Sequence, residues 1–156
     1  MLSNHCIEKL VTKMMKSLSI LIICTLSLLA CRNNNRSANN ALEGNWRMTM
    51  VKEISNGQTH LKPQGTIGDV ALSLNFISAT EGQILGNTPT NTLTGSFIIA
   101  ANNRITFTAV SATKVAETTW GNYFYSNTLF IERYALTTNG LLELSTPNLV
   151  LQFERP

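Results

Sequence analysis

From Leu42 onward, apolar and polar residues mostly alternate in short runs bounded by Gly, Asn or Pro. Successive side chains on a strand point to opposite faces, so alternation marks a strand with one face buried. The runs are Asn45–Lys52, Val70–Ile77, Gln83–Leu85, Leu93–Ala100, Arg104–Val110, Tyr134–Thr137, Leu141–Leu144 and Leu149–Phe153. These eight predicted strands, with turns such as 101–103 and 138–140, suggest an antiparallel meander that curls or closes on itself. The inward set is expected to be Leu72, Leu74, Phe76, Phe97, Ile99, Ile105, Phe107, Leu142, Leu144, Leu149, Leu151 and Phe153.

Alternation fails between Thr118 and Ile131. There Trp120, Tyr123, Phe124, Asn127 and Ile131 recur at three- and four-residue steps, which predicts one helix, although Gly121 and the neighbouring Thr and Asn residues are weak helix formers. The fold class is therefore β-rich, all-β or α+β, with about eight antiparallel strands in a barrel-like sheet and one helix.

Residues 18–30 are a different kind of segment, a 13-residue apolar run with Lys13 and Lys16 before it and Cys31 after it. It is too short for a transmembrane helix, which needs about 20 residues, but has the form of a secretory signal peptide. Its ending, Leu28-Leu29-Ala30-Cys31, resembles the bacterial lipobox, at which the signal is removed before a cysteine that carries a diacylglycerol. Cys31 is thus the expected lipidation site and the membrane the expected partner. Residues 1–30 are the expected signal peptide, 31–41 a flexible tether without a large apolar side chain, and 42–156 the globular domain. Met14 and Met15 are alternative starts to Met1. The expected location is the cell envelope, on the periplasmic face of an outer membrane.

Charge and cysteine content follow from that division. Three of the 12 bases and one of the nine acids precede residue 31, leaving nine against eight, so no basic face for nucleic acid is indicated. Of Cys6, Cys24 and Cys31, the first two leave with the leader, and an acylated Cys31 leaves no thiol for a disulfide, a nucleophile or a metal.

Several motifs then fall in order along the predicted strands. Leu42-Glu43-Gly44-Asn45-Trp46 resembles the opening strand of the META-domain (HslJ-like) lipoproteins. The resemblance continues through Gly86, Asn91, Leu93-Thr94-Gly95-Ser96-Phe97, Arg104-Ile105-Thr106-Phe107 and Ala112-Thr113-Lys114-Val115-Ala116. It ends with Tyr134-Ala135-Leu136, Gly140-Leu141-Leu142-Glu143-Leu144 and Leu149-Val150-Leu151-Gln152-Phe153. The resemblance implies an HslJ-like fold and an accessory, non-enzymatic role in envelope integrity or stress tolerance. It also has two departures: Pro89-Thr90-Asn91 stands where the family often has Gly-Cys-Asn, and Glu117 where it often has a second cysteine. Their joint replacement fits a dispensable disulfide better than a metal or redox centre.

Catalytic chemistry is sparse. The only histidine outside the leader is His60, expected in a solvated loop, and no zinc spacing, nucleophile elbow, P-loop or dinucleotide fingerprint occurs. Ser111 and Lys114 have the spacing of a Ser/Lys pair but no plausible helix start. Glu117, Glu132, Glu143 and Glu154 are spread over separate elements, and Glu132-Arg133 and Glu154-Arg155 read as solvated surface. No catalytic residue, metal site or cofactor is expected. Trp120, Tyr123, Phe124, Tyr125 and Phe130 place five of eleven aromatics in eleven residues. Most simply, Trp120, Tyr123 and Phe124 plug the open end of the sheet while Tyr125 faces solvent. Alternatively Trp120, Tyr123, Phe124 and Tyr125 line a groove, and the protein is a carrier or pilot lipoprotein that binds a hydrophobic ligand or partner peptide.

Overall fold

The computed structural model describes residues 41–156; the expected signal peptide (1–30), Cys31 and residues 32–40 of the expected tether lie outside the described residues. Nine strands follow in chain order: β1 (Gly44–Glu53), β2 (Thr59–Leu61), β3 (Ala71–Phe76), β4 (Glu81–Asn87), β5 (Thr92–Ala100), β6 (Arg104–Ala112), β7 (Arg133–Leu136), β8 (Leu142–Ser145) and β9 (Leu149–Glu154). A helix, α1 (Thr119–Tyr125), and a 3-10 turn (Thr128–Phe130) separate β6 from β7. All pairings are antiparallel, and β1 and β3 to β9 close into an eight-stranded barrel through β1 and β9.

The eight strands predicted from alternation are the eight staves. β2 is an addition, three residues that alternation could not mark. It exists because β1 is longer than its neighbour. Arg47 pairs with both Ala71 of β3 and Glu154 of β9, and Met50 with both Leu61 of β2 and Gln152 of β9. One edge of β1 is thus shared by β3 and then β2, while β9 lines the other. The predicted loop residue His60 accordingly lies in a strand, half-buried.

Inward positions match the alternation, with Phe76 and Leu149 half-buried and the other ten expected residues buried. Outward positions of β4 to β6 are largely Thr, Ser, Asn and Gln. Trp46, Phe97, Phe124 and Phe153 are the largest wholly buried side chains. Phe97 fits because β4 presents glycine to it: a Cβ on Gly82 would collide with the Phe97 ring and with the Asn75 carbonyl. Gly86 does the same for Phe124, where an added Cβ would lie 3.1 Å from the ring. Phe124 also meets Phe153 edge-on at 5.9 Å. One helical side chain therefore reaches between β4 and β9 and fills the barrel. Among the described residues, the buried core runs from Leu42 to Phe153.

Closure is thinnest between β6 and β7. They share one residue pair, Arg104 with Arg133, flanked by Ile105 N–H donating to the Glu132 carbonyl (3.1 Å) and Tyr134 N–H donating to the Asn103 carbonyl (2.9 Å). The expected single helix over 118–131 is a seven-residue helix followed by the 3-10 turn. Thr118 caps α1 by accepting from Gly121 N–H at 3.0 Å. The Thr- and Asn-rich composition that weakens helix propensity supplies this cap and the break that follows.

Candidate functional site

Polar organisation concentrates where the β4–β5 turn meets the segment leading into α1. Asn91, 3% exposed, bonds with nearly every group around it. Its Nδ2 donates to Thr90 Oγ1 (3.0 Å), the Val115 carbonyl (2.9 Å) and Glu117 Oε2 (2.9 Å). Its Oδ1 accepts from Val115 N–H (2.8 Å) and Thr113 Oγ1 (3.0 Å). A buried amide so fully satisfied fixes both strands of backbone it touches.

Glu117 is the charged member. Thr88 Oγ1 donates to its Oε2, and Thr118 N–H to Oε1 at 2.8 Å. Burial alone pushes this carboxyl up, but hydrogen bonds from Asn91, Thr88, Thr118 and Thr90 together outweigh it and hold the group below its usual range. Gly121 fits against this carboxylate because it has no side chain: a Cβ there would collide with Oε1. The two positions where the family resemblance implies a disulfide are thus close together: Thr90 Oγ1 and Glu117 Oε2 both accept from Asn91 Nδ2, at 3.0 and 2.9 Å.

The aromatic residues divide in two. Trp120 and Phe124 are buried in the core, whereas Tyr123 and Tyr125 are half-buried. Tyr125 lies at the surface, half-buried, and its hydroxyl donates to the Thr113 carbonyl at 2.9 Å in a solvent-exposed hydrogen bond. Tyr123 stacks on His60, with centroids 5.3 Å apart, and meets Trp120 edge-on at 6.3 Å. His60 Nε2 is 3.0 Å from Glu53 Oε1. The histidine read as a solvated loop residue therefore joins the aromatic cluster to β1. Its bond to Glu53, with help from Asn56, lowers the Glu53 carboxyl pKa. Trp120 Nε1 is buried without a hydrogen-bond partner.

Elsewhere, the outer face of β1, β3 and β4 carries a shallow depression of about 250 Å³, lined by residues including Asn45, Arg47, Asp69, Ser73, Leu85 and Asn87. Arg47 is fixed there by Glu154 at 2.6 Å, and Lys62 pairs with Asp69. The bond to Glu154 raises the Arg47 pKa further. Glu154 and Arg155 are thus both engaged rather than merely solvated, since Arg155 lies over Trp46. Ser111 and Lys114 are exposed. Among the described residues, no group of three His, Cys, Asp or Glu side chains could hold a metal ion, and no helix is long and apolar enough to cross a membrane. Cys31 lies outside the described residues.

No protein-family model matches the chain, and no curated protein matches it. Among solved structures, a protein from Burkholderia xenovorans determined by NMR is similar to this chain with a TM-score of 0.58 and 21% identity, covering 77% of this chain and 87% of that one. A redesigned β-barrel matches with a TM-score of 0.40 and 12% identity, covering 76% of this chain and 95% of the other. The first likeness is one of fold.

Proposed function

We propose that the protein is a non-enzymatic envelope lipoprotein, anchored through Cys31, with an accessory role in envelope integrity or stress tolerance. The observation that carries this reading is the sequence Leu28-Leu29-Ala30-Cys31 at the end of a basic-then-apolar leader. Acyl chains contribute about 0.8 kcal/mol per buried methylene, so two or more on one cysteine hold a protein at a membrane. The expected site is the periplasmic face of an outer membrane. Residues 32–41 would then separate the anchor from the barrel.

The META-domain relationship is part of the same proposal. Its opening motif has a local physical basis: the Trp46 indole N–H donates to the Leu42 carbonyl at 2.8 Å, and both side chains are wholly buried. The proximity of Thr90 and Glu117, both bonded to Asn91 Nδ2 where relatives would carry cysteines, also supports it. A carrier role finds less support, since the interior is occupied by Trp46, Phe97, Phe124 and Phe153. A peptide or lipid would have to bind outside.

Metabolic labelling with a palmitate analogue tests the anchor. Wild-type protein should take up label and fractionate with membranes, and Cys31→Ser should take up none. Labelling and membrane fractionation of Cys31→Ser equal to wild type would overturn the reading.

A further inference from the structure

The one residue pair joining β6 to β7 brings two arginines face to face. The flanking hydrogen bonds, Ile105 N–H to Glu132 O and Tyr134 N–H to Asn103 O, identify Arg104 and Arg133 as a non-hydrogen-bonded antiparallel pair. That is the pairing class with the closest side chains, Cα atoms being about 4.5 Å apart. Ile105 points into the core, so Arg104 points outward, and its cross-strand partner lies on the same face. Both are exposed.

Like charges directly opposite each other are unfavourable, and a structural pair would be expected to have a neutralising acid nearby. Neither arginine has one: the ion pairs among the described residues are Arg47 with Glu154, His60 with Glu53 and Lys62 with Asp69. Glu132, exposed and next to Arg133 in sequence, forms no ion pair with either arginine. Uncompensated guanidinium groups held side by side suit the oxygens of a phosphate group, which each can engage with two donors.

The adjoining chain is apolar and exposed. Leu129 and Phe130, in the 3-10 turn just before β7, are 61% and 63% exposed, while the next residue, Ile131, is buried. Phe130 is three positions from Arg133, and the turn packs against β6. Cations beside projecting Leu and Phe side chains are the combination that binds the interface of an anionic bilayer: the rings and methyls enter the acyl boundary and the cations meet headgroup phosphates.

We propose that Arg104, Arg133, Leu129 and Phe130 form a docking surface for anionic phospholipid. An anchor at Cys31 would keep this surface near its membrane, and to that extent the inference leans on the lipoprotein reading. The lipid affinity itself does not, and is measured without the anchor.

The test is co-sedimentation of residues 38–156, which form one compact unit, with phosphatidylcholine vesicles containing or lacking 30% phosphatidylglycerol at low salt. Wild type should bind only the anionic vesicles, weakening as salt rises. Arg104→Gln and Arg133→Gln should each reduce partitioning about fivefold, the pair about 25-fold. Phe130→Ser should reduce it without changing the salt dependence. Thermal melts of each variant separate lost binding from lost folding, and Lys114→Gln, a lone exposed cation, should change partitioning less than either arginine variant. Equal binding to neutral vesicles, no binding to anionic ones, or binding indifferent to both arginines in folded variants would each overturn the proposal. So would inorganic phosphate that shifts the arginine Nε resonances in a protein that ignores vesicles, since the site would then take a free anion. None of these results bears on Cys31, which palmitate labelling decides separately.

Discussion

The guanidinium of Arg155 lies over the Trp46 ring, 4.0 Å from its centroid, and donates to the carbonyls of Glu43 and Ala41 at 2.7 Å each. The penultimate residue thereby holds the chain where it enters the first strand, and Ala41, the last residue assigned to the tether, is tied to the barrel. Arg155→Ala should cost about 1–2 kcal/mol in urea unfolding of the domain. Arg155→Lys should recover only part of this, because one ammonium cannot cover the ring and reach both carbonyls. Full recovery by lysine would show that charge alone matters here.

Gly82 should tolerate no side chain. Gly82→Ala forces a methyl into the Phe97 ring and the Asn75 carbonyl, and overpacking of this kind costs about 1–3 kcal/mol. In a Phe97→Leu background the penalty should fall, since the shorter side chain vacates part of the space. It should not vanish, because the carbonyl remains. A double-mutant cycle by chemical denaturation reads this coupling directly, and strict additivity would contradict the packing described.

Glu117 should make the domain acid-sensitive. Its folded-state pKa is depressed below the ordinary glutamate value, so the native state favours the carboxylate. The stabilisation is complete above the unfolded-state pKa and is lost as pH falls through the lower folded value. The melting temperature should therefore decline below about pH 4.5, and Glu117→Gln should flatten that decline while lowering stability at pH 7. A variant with the wild-type acid slope would remove Glu117 from the cause.

Thr90 and Glu117 should accept a cross-link. The double variant Thr90→Cys/Glu117→Cys should oxidise to a disulfide closing a loop that spans 27 positions. The chain-entropy model gives roughly 3–4 kcal/mol for such a loop, less what the Asn91 network loses. Comparing melts with and without reductant measures the difference. A folded variant whose thiols stay free under oxidant would contradict the proximity and weaken the META-domain proposal.

The strand pattern was legible because each stave has one face on the core, which imposes a period of two on the sequence whatever the partners are. The same rule explains why β2 was not legible: three residues, Thr59–Leu61, offer too little alternation to see. The candidate site was legible only in part. The five aromatics stood out by density, but hydropathy could not separate Trp120 and Phe124, which enter the core, from Tyr125, whose hydroxyl stops at the Thr113 carbonyl. His60 gave no signal, because its partners Glu53 and Tyr123 lie on other elements.

By itself, then, the sequence determined the eight alternating staves and the interrupted segment after β6, both of them properties of neighbouring residues. Tertiary structure decided what depends on distant ones. Closure requires β1 to meet β9 about a hundred residues away, with Arg47 opposite Glu154. Filling the barrel requires Gly86 to leave room for Phe124, and Asn91 becomes a hub only once Val115 and Glu117 fold onto it. Arg104 and Arg133 are ordinary surface arginines until the barrel closes through them. Local periodicity records which side of an element is dry; the sheet's stagger and closure decide which residues then face each other.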